Sequence, residues 1–167
     1  MKGSRARRVA TVGVLVALAL IFSYVEVLIP FNFGIPGVKL GLANLVIVAA
    51  LYELRAREAF LVDVTRIGVS SLLFGSVVSL WYSLAGGLLS FAVMALARRG
   101  GRFGPMGVSV LGGESHNIGQ LAVAVVLLGT GRLVWYLPAL LVSGVLTGAL
   151  IGLVAERARP LLARRRG

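Results

Sequence analysis

The sequence predicts an all-α fold: one integral membrane domain over residues 1–167, a polytopic bundle of six transmembrane helices with both chain ends in the cytoplasm. Three observations lead there. Apolar residues make up 58% of the 167 and charged residues only 14%. Ordinary globular domains carry about a quarter charged residues, so water would meet more hydrophobic surface than it tolerates. The apolar residues also fall into runs of the length a helix needs to cross a ~30 Å hydrocarbon layer, about 17 to 25 residues. Finally, the basic residues punctuate those runs in alternation.

The first run spans residues 9–29 and stops at Pro30, whose ring and missing N–H end a helix. It is too long for the apolar part of a signal peptide, and Ala17-Leu18-Ala19 sits in its middle, so it reads as a retained helix. The second run, 38–54, follows Pro36-Gly37, and the third, 58–74, follows the Arg55/Arg57 gap. The Gly75-Ser76 break opens the fourth, 77–97. The fifth, 105–128, ends at the Gly129-Thr130-Gly131 turn, and the sixth covers 133–155.

Charge tests this count. Lys2, Arg5, Arg7 and Arg8 precede the first run, Arg55 and Arg57 lie in one gap, and Arg98, Arg99 and Arg102 lie in another. Arg157, Arg159, Arg164, Arg165 and Arg166 close the chain. Six spans place all fourteen of these on one side and leave the opposite connections with Arg132. Cytoplasmic loops collect Lys and Arg, so the net charge of +11 reads as an orientation signal for a multi-pass protein of the cell membrane. It does not read as a nucleic-acid surface.

The chemistry available is narrow. With no Cys and one His, His116, there is no disulfide framework, thiolate site or multi-histidine metal cluster. No Walker motif is present, and the single Asp, Asp63, cannot form the Asp-rich clusters that hold magnesium and diphosphate. No enzymatic activity and no cofactor are expected.

Ionisable side chains at membrane depth are costly and mark function by default. An inner group comes from the third and fifth helices. Asp63, Arg66 and Ser70 share a stripe, and Glu114, His116, Asn117 and Gln120 fall within an arc of about 160° at 100° per residue. Matching depths predict that Arg66 sits between Asp63 and Glu114, with Asn117 and His116 completing the hydrogen bonds. One Arg does not neutralise two carboxylates, which leaves Glu114 to hold a proton or pair with His116. The group reads as an internal polar lock or as a proton-coupling site.

An outer group comes from Glu26, the loop 30–37 with Asn32, then Lys39 and Asn44, facing Trp81, Tyr82 and Trp135. The aromatic residues suit an interfacial belt and Lys39 suits snorkelling. The uncharged loop rich in Pro, Gly and Phe suits a segment roofing a small-molecule pocket. On the sixth helix, Gly144, Gly148 and Gly152 form a close-packing ridge, for which bundle packing and docking to another subunit are both open.

The run Pro36-Gly37-Val38-Lys39-Leu40-Gly41-Leu42-Ala43-Asn44, with Ser70-Ser71-Leu72-Leu73-Phe74-Gly75, Tyr82-Ser83-Leu84-Ala85-Gly86 and His116-Asn117-Ile118-Gly119-Gln120, resembles the bacterial Gx transporter family, also labelled heptaprenyl diphosphate synthase component I. The resemblance covers essentially the whole chain between the basic tails. That family is grouped with the substrate-binding S-components of energy-coupling factor (ECF) transporters. The resemblance implies a lid at 30–37, a substrate pocket at Lys39, Asn44, Trp81, Tyr82 and Trp135, to which the outer group read from the residues adds Glu26 and Asn32, and a docking patch at Ala6, Ala10, Gly13 and Ala17. The expected function is a non-catalytic, substrate-binding membrane subunit of a small-molecule importer, partnered by a transmembrane coupling subunit with ATPases. The alternatives are an accessory subunit of a separate prenyltransferase in polyprenyl metabolism, and a proton-coupled secondary transporter.

Overall fold

The computed structural model describes residues 2–28 and 41–163. Those residues form six α-helices: α1 (Lys2–Leu28), α2 (Asn44–Glu53), α3 (Ala56–Phe74), α4 (Val77–Arg99), α5 (Pro105–Leu128) and α6 (Leu137–Ala163), with a 3-10 turn at Gly131–Tyr136 before α6. By length and composition, Ala6–Leu28, Val77–Arg99 and Gly131–Arg157 are apolar enough to cross a membrane. The intervening α3 and α5 are diluted by the polar residues already singled out.

The helix ends have local causes. The Glu58 carboxylate accepts from the Arg55 N–H at 3.0 Å and caps α3, and the Ser76 hydroxyl accepts from Ser79 N at 3.1 Å and caps α4. Pro105 starts α5, where its missing N–H costs nothing. Gly129, with φ +62°, ends that helix in the left-handed region that glycine adopts freely. Helix α1 begins well before the apolar run, because hydrogen bonding and not hydropathy sets a helix end.

Helix α2 is central: among the described residues it touches all five other helices, while α1, α3, α4, α5 and α6 follow one another around it. Three contacts gather the arginine-rich ends at one end of the bundle. Arg8 pairs with Glu58 at 3.8 Å, Arg98 lies 5.0 Å over the Tyr52 ring, and the Glu156 carboxylate accepts from Met106 N at 3.3 Å. At the far end, Tyr24 meets Phe74 with ring centroids 5.0 Å apart. Arg8–Glu58 and Tyr24–Phe74 each join residues 50 apart in the chain, so α1 and α3 run parallel in constant register.

The interior is layered. The half nearer the basic end is an apolar core of Ile47, Val48, Leu51, Val62, Phe91, Met94, Val108 and Ile151. A smaller apolar cluster of Tyr82, Leu121, Ala124 and Leu140 lies toward the far end. The α5–α6 seam is a backbone contact. A Cβ on Gly148 would stand 2.6 Å from Val110 Cα, and one on Gly113 would stand 2.6 Å from Gly144 O. The glycine ridge of α6 is therefore used within the bundle, the first of its two open readings.

The second helix departs from expectation. It begins at Asn44 and is 10 residues long, about 15 Å at 1.5 Å per residue, half of a ~30 Å core. Gly41 precedes it with φ +78°, a left-handed conformation that a helix cannot include. Residues 38–40, and the expected lid at 30–37, lie outside the described residues.

Candidate functional site

Asn44 stands nine residues before the end of α2, Arg66 ten after the start of α3, Ser90 nine before the end of α4, and His116 eleven after the start of α5. At 1.5 Å per residue all four lie about 13 to 17 Å from the basic end, and there they meet. Arg66 donates from Nε to Asp63 Oδ1 at 2.9 Å, and its Nη2 lies 2.8 Å from the same oxygen. Nη2 also donates to Asn44 Oδ1 at 3.3 Å. The Asn44 amide donates in turn to Ser90 Oγ at 3.4 Å. Every one of these side chains is buried.

His116 extends the centre on the α5 side. Its ring lies between two glycines: a Cβ on Gly86 would stand 2.9 Å from Cε1 and Nδ1, and one on Gly41 would stand 3.5 Å from Cδ2. Gln120 packs on the same Gly86. Glu26 of α1, buried, accepts a hydrogen bond from the Gly41 N–H. The broken start of α2 is thus held by a carboxylate placed where helix N–H groups lack intrahelical partners. Helices α2 to α5 contribute to one polar layer between two apolar ones, and Glu26 reaches toward it from near the far end of α1.

Some expected residues assemble and others do not. Asp63, Arg66, His116, Gln120, Asn44 and Glu26 come together, merging the separate inner and outer groups read from sequence. Glu114 does not join them. Arg66 turns to Asn44, and Glu114, half-buried, makes no hydrogen bond or ion pair among the described residues. The expectation that Arg66 bridges Asp63 and Glu114 fails because Asn44, on the short central helix, reaches the guanidinium first. Asn117 serves a different contact, donating to Leu140 O at 2.7 Å and Ser143 Oγ at 3.3 Å across the α5–α6 seam.

Of the aromatics, only Tyr82 is inside; Trp81 and Trp135 are 55% and 86% exposed on the outer surface of the bundle, the placement of an interfacial belt. Asn32 and Lys39 lie outside the described residues. Ala6, Ala10, Gly13 and Ala17 are all exposed on α1. Sequence reading missed the small-residue face of α4, where Ser79, Ser83, Gly86, Gly87 and Ser90 are buried. Their spacing of three and four residues was the available signal.

Three buried atoms, Ser23 Oγ, Ser71 Oγ and Asp63 Oδ2, make no hydrogen bond among the described residues. Buried polar atoms are ordinarily paired, so hydrogen-bonding capacity remains at Asp63 beside this layer and at the two serines farther toward the far end. Among the described residues no group of three or more His, Cys, Asp or Glu could hold a metal ion.

Residues 15–158 match the family described as heptaprenyl diphosphate synthase component I, and the chain belongs to that family. Comparison with curated proteins and with solved structures returned no match.

Proposed function

We propose that this protein is a non-catalytic subunit of the cell membrane that binds a small polar molecule at its mid-height polar layer and works with separately encoded subunits. The observation that carries the reading is the convergence of Glu26, Asn44, Asp63, Arg66, His116 and Gln120, drawn from four helices, at the point where the central helix stops halfway. Polar residues at membrane depth are expensive, and a broken helix with irregular backbone at that depth is characteristic of substrate sites in membrane transport proteins. An unneeded lock would be simpler with two residues than with six.

In this reading all six helices cross the membrane and the arginine-rich end faces the cytoplasm. The polar layer then lies beyond the cytoplasmic apolar core, and the chain acts as an importer subunit of the ECF type, powered by ATPases on other chains. The family description favours a second reading, an accessory membrane subunit of a prenyltransferase. The lone Asp63 leaves catalysis to that other subunit.

Purification from native membranes in mild detergent, followed by mass spectrometry of the accompanying small molecules and polypeptides, tests both. A small molecule retained by the wild type and lost in Arg66→Gln supports the binding role. Co-purifying ATPases select the importer reading, and a prenyltransferase selects the accessory one. Loss of neither ligand nor partner in Arg66→Gln would leave the polar layer a structural lock.

A further inference from the structure

We propose that Glu114 anchors a transmembrane helix of a different subunit, one that carries a Lys or Arg at mid-membrane height. Glu114 stands nine residues into α5, about 14 Å from its start, the centre of a ~30 Å hydrocarbon layer. It is two residues from His116, which puts it about 200° around the helix and away from the polar layer. Its stripe continues through half-buried Leu111 to Ile118, which is 43% exposed, so half-buried Glu114 lies at the edge of the apolar outer surface of the bundle. Beside it Gly144 of α6 packs against the backbone: a Cβ there would stand 3.1 Å from Glu114 N.

At that depth a charged carboxylate is costly, and a cation on a packed neighbour is what offsets that cost. The bundle supplies none among the described residues, since Arg66 is committed to Asp63 and Asn44. A second copy is no better among the described residues: their cation at this height is Arg66, 5% exposed, and the other described arginines lie at the bundle ends. Charge complementarity therefore points to a different chain. The inference rests on the reading that α5 crosses the membrane, but not on ligand binding at the polar layer, and can fail or succeed without that binding.

The test uses dicyclohexylcarbodiimide, a lipid-soluble reagent that attaches to carboxyls reachable from the bilayer, with peptide mass spectrometry as readout. The full chain alone in phosphatidylcholine vesicles should be labelled at Glu114 about ten-fold more than at Glu26 or Asp63. In native membranes that labelling should fall about ten-fold, because the partner helix covers the site. Ile118→Cys, cross-linked in native membranes, should yield a peptide from another protein with Lys or Arg inside an apolar segment. That product should fall about ten-fold when Glu114→Gln is added. Ile118 lies off the polar layer, and size-exclusion chromatography checks that both variants remain folded. An unlabelled Glu114 in vesicles, equal labelling in the two settings, a cross-link to a second copy, or a cross-link indifferent to Glu114→Gln would each overturn the proposal.

Discussion

Arg66 and Asp63 are 6% and 1% exposed, so neither charge has water to fall back on. Truncating one member of a buried pair leaves the other unpaired and costs about 3–5 kcal/mol, while replacing both is much milder. Arg66→Met should therefore destabilise the bundle by about that amount, and adding Asp63→Leu should restore most of it. Denaturant titration of the two variants in the same detergent checks this. The glycines around the layer make a contrasting case. Gly86→Ala would put a methyl 2.9 Å from the His116 ring and the Gln120 side chain, and overpacking of this kind costs about 1–3 kcal/mol. Gly13→Ala meets nothing within 4 Å and should leave the melting temperature unchanged or slightly raised. Of these residues, Asp63, Arg66 and His116 were legible in the sequence because an ionisable group inside an apolar run is conspicuous. Ser90, Gly86 and Gly41 were not, since small residues are common in membrane helices and only the tertiary fold turns these toward the centre.

Helix ends divide along the same line. The ends of α5 matched expectation because Pro105 and Gly129 act locally, through a missing N–H and a left-handed backbone. The start of α2 did not, because the apolar run resumes at Val38 and continues on both sides of the single Lys39, while the Gly41 N–H is held by Glu26, fifteen residues earlier in the chain. Gly41→Ala tests this arrangement. A side chain at φ +78° costs about 1–2 kcal/mol, and a Cβ there would also stand 3.3 Å from the Asn44 amide nitrogen. Thermal unfolding should drop accordingly, and amide exchange in α2 should rise more than in α4. The α5–α6 seam is less forgiving, because the atoms facing Gly148 are the backbone of Val110 and Ser109, which have no rotamer to change. Gly148→Leu should force the two helices apart and abolish folding, whereas Val142→Leu on the exposed face of α6, where Val142 is 61% exposed, should be neutral in the same unfolding assay.

For the whole molecule, the arrangement of arginines and the arrangement of helices are independent observations that agree. The α1–α3, α2–α4 and α5–α6 contacts at Arg8, Arg98 and Glu156 gather one end of the bundle without reference to charge rules, and that end is where Arg55, Arg57, Arg99, Arg102 and Arg157 also lie. Cytoplasmic loops hold the excess of Lys and Arg, so this end should face the cytoplasm and the turn around Arg132 the outside. The chain has no native Cys, so a single introduced thiol reports one position without background. Arg132→Cys, exposed in the 3-10 turn before α6, should react with a membrane-impermeant maleimide on intact cells. Arg102→Cys, exposed between α4 and α5, should react only after the membrane is opened. Removing one of three arginines from its connection leaves the charge bias in place, so neither variant should invert the protein. Labelling of Arg102→Cys on intact cells would reverse the orientation and place the broken start of α2 on a path from the cytoplasm. Labelling of both from the same side would mean that α5 does not cross, and with it the layer at Arg66 would no longer sit between two membrane faces.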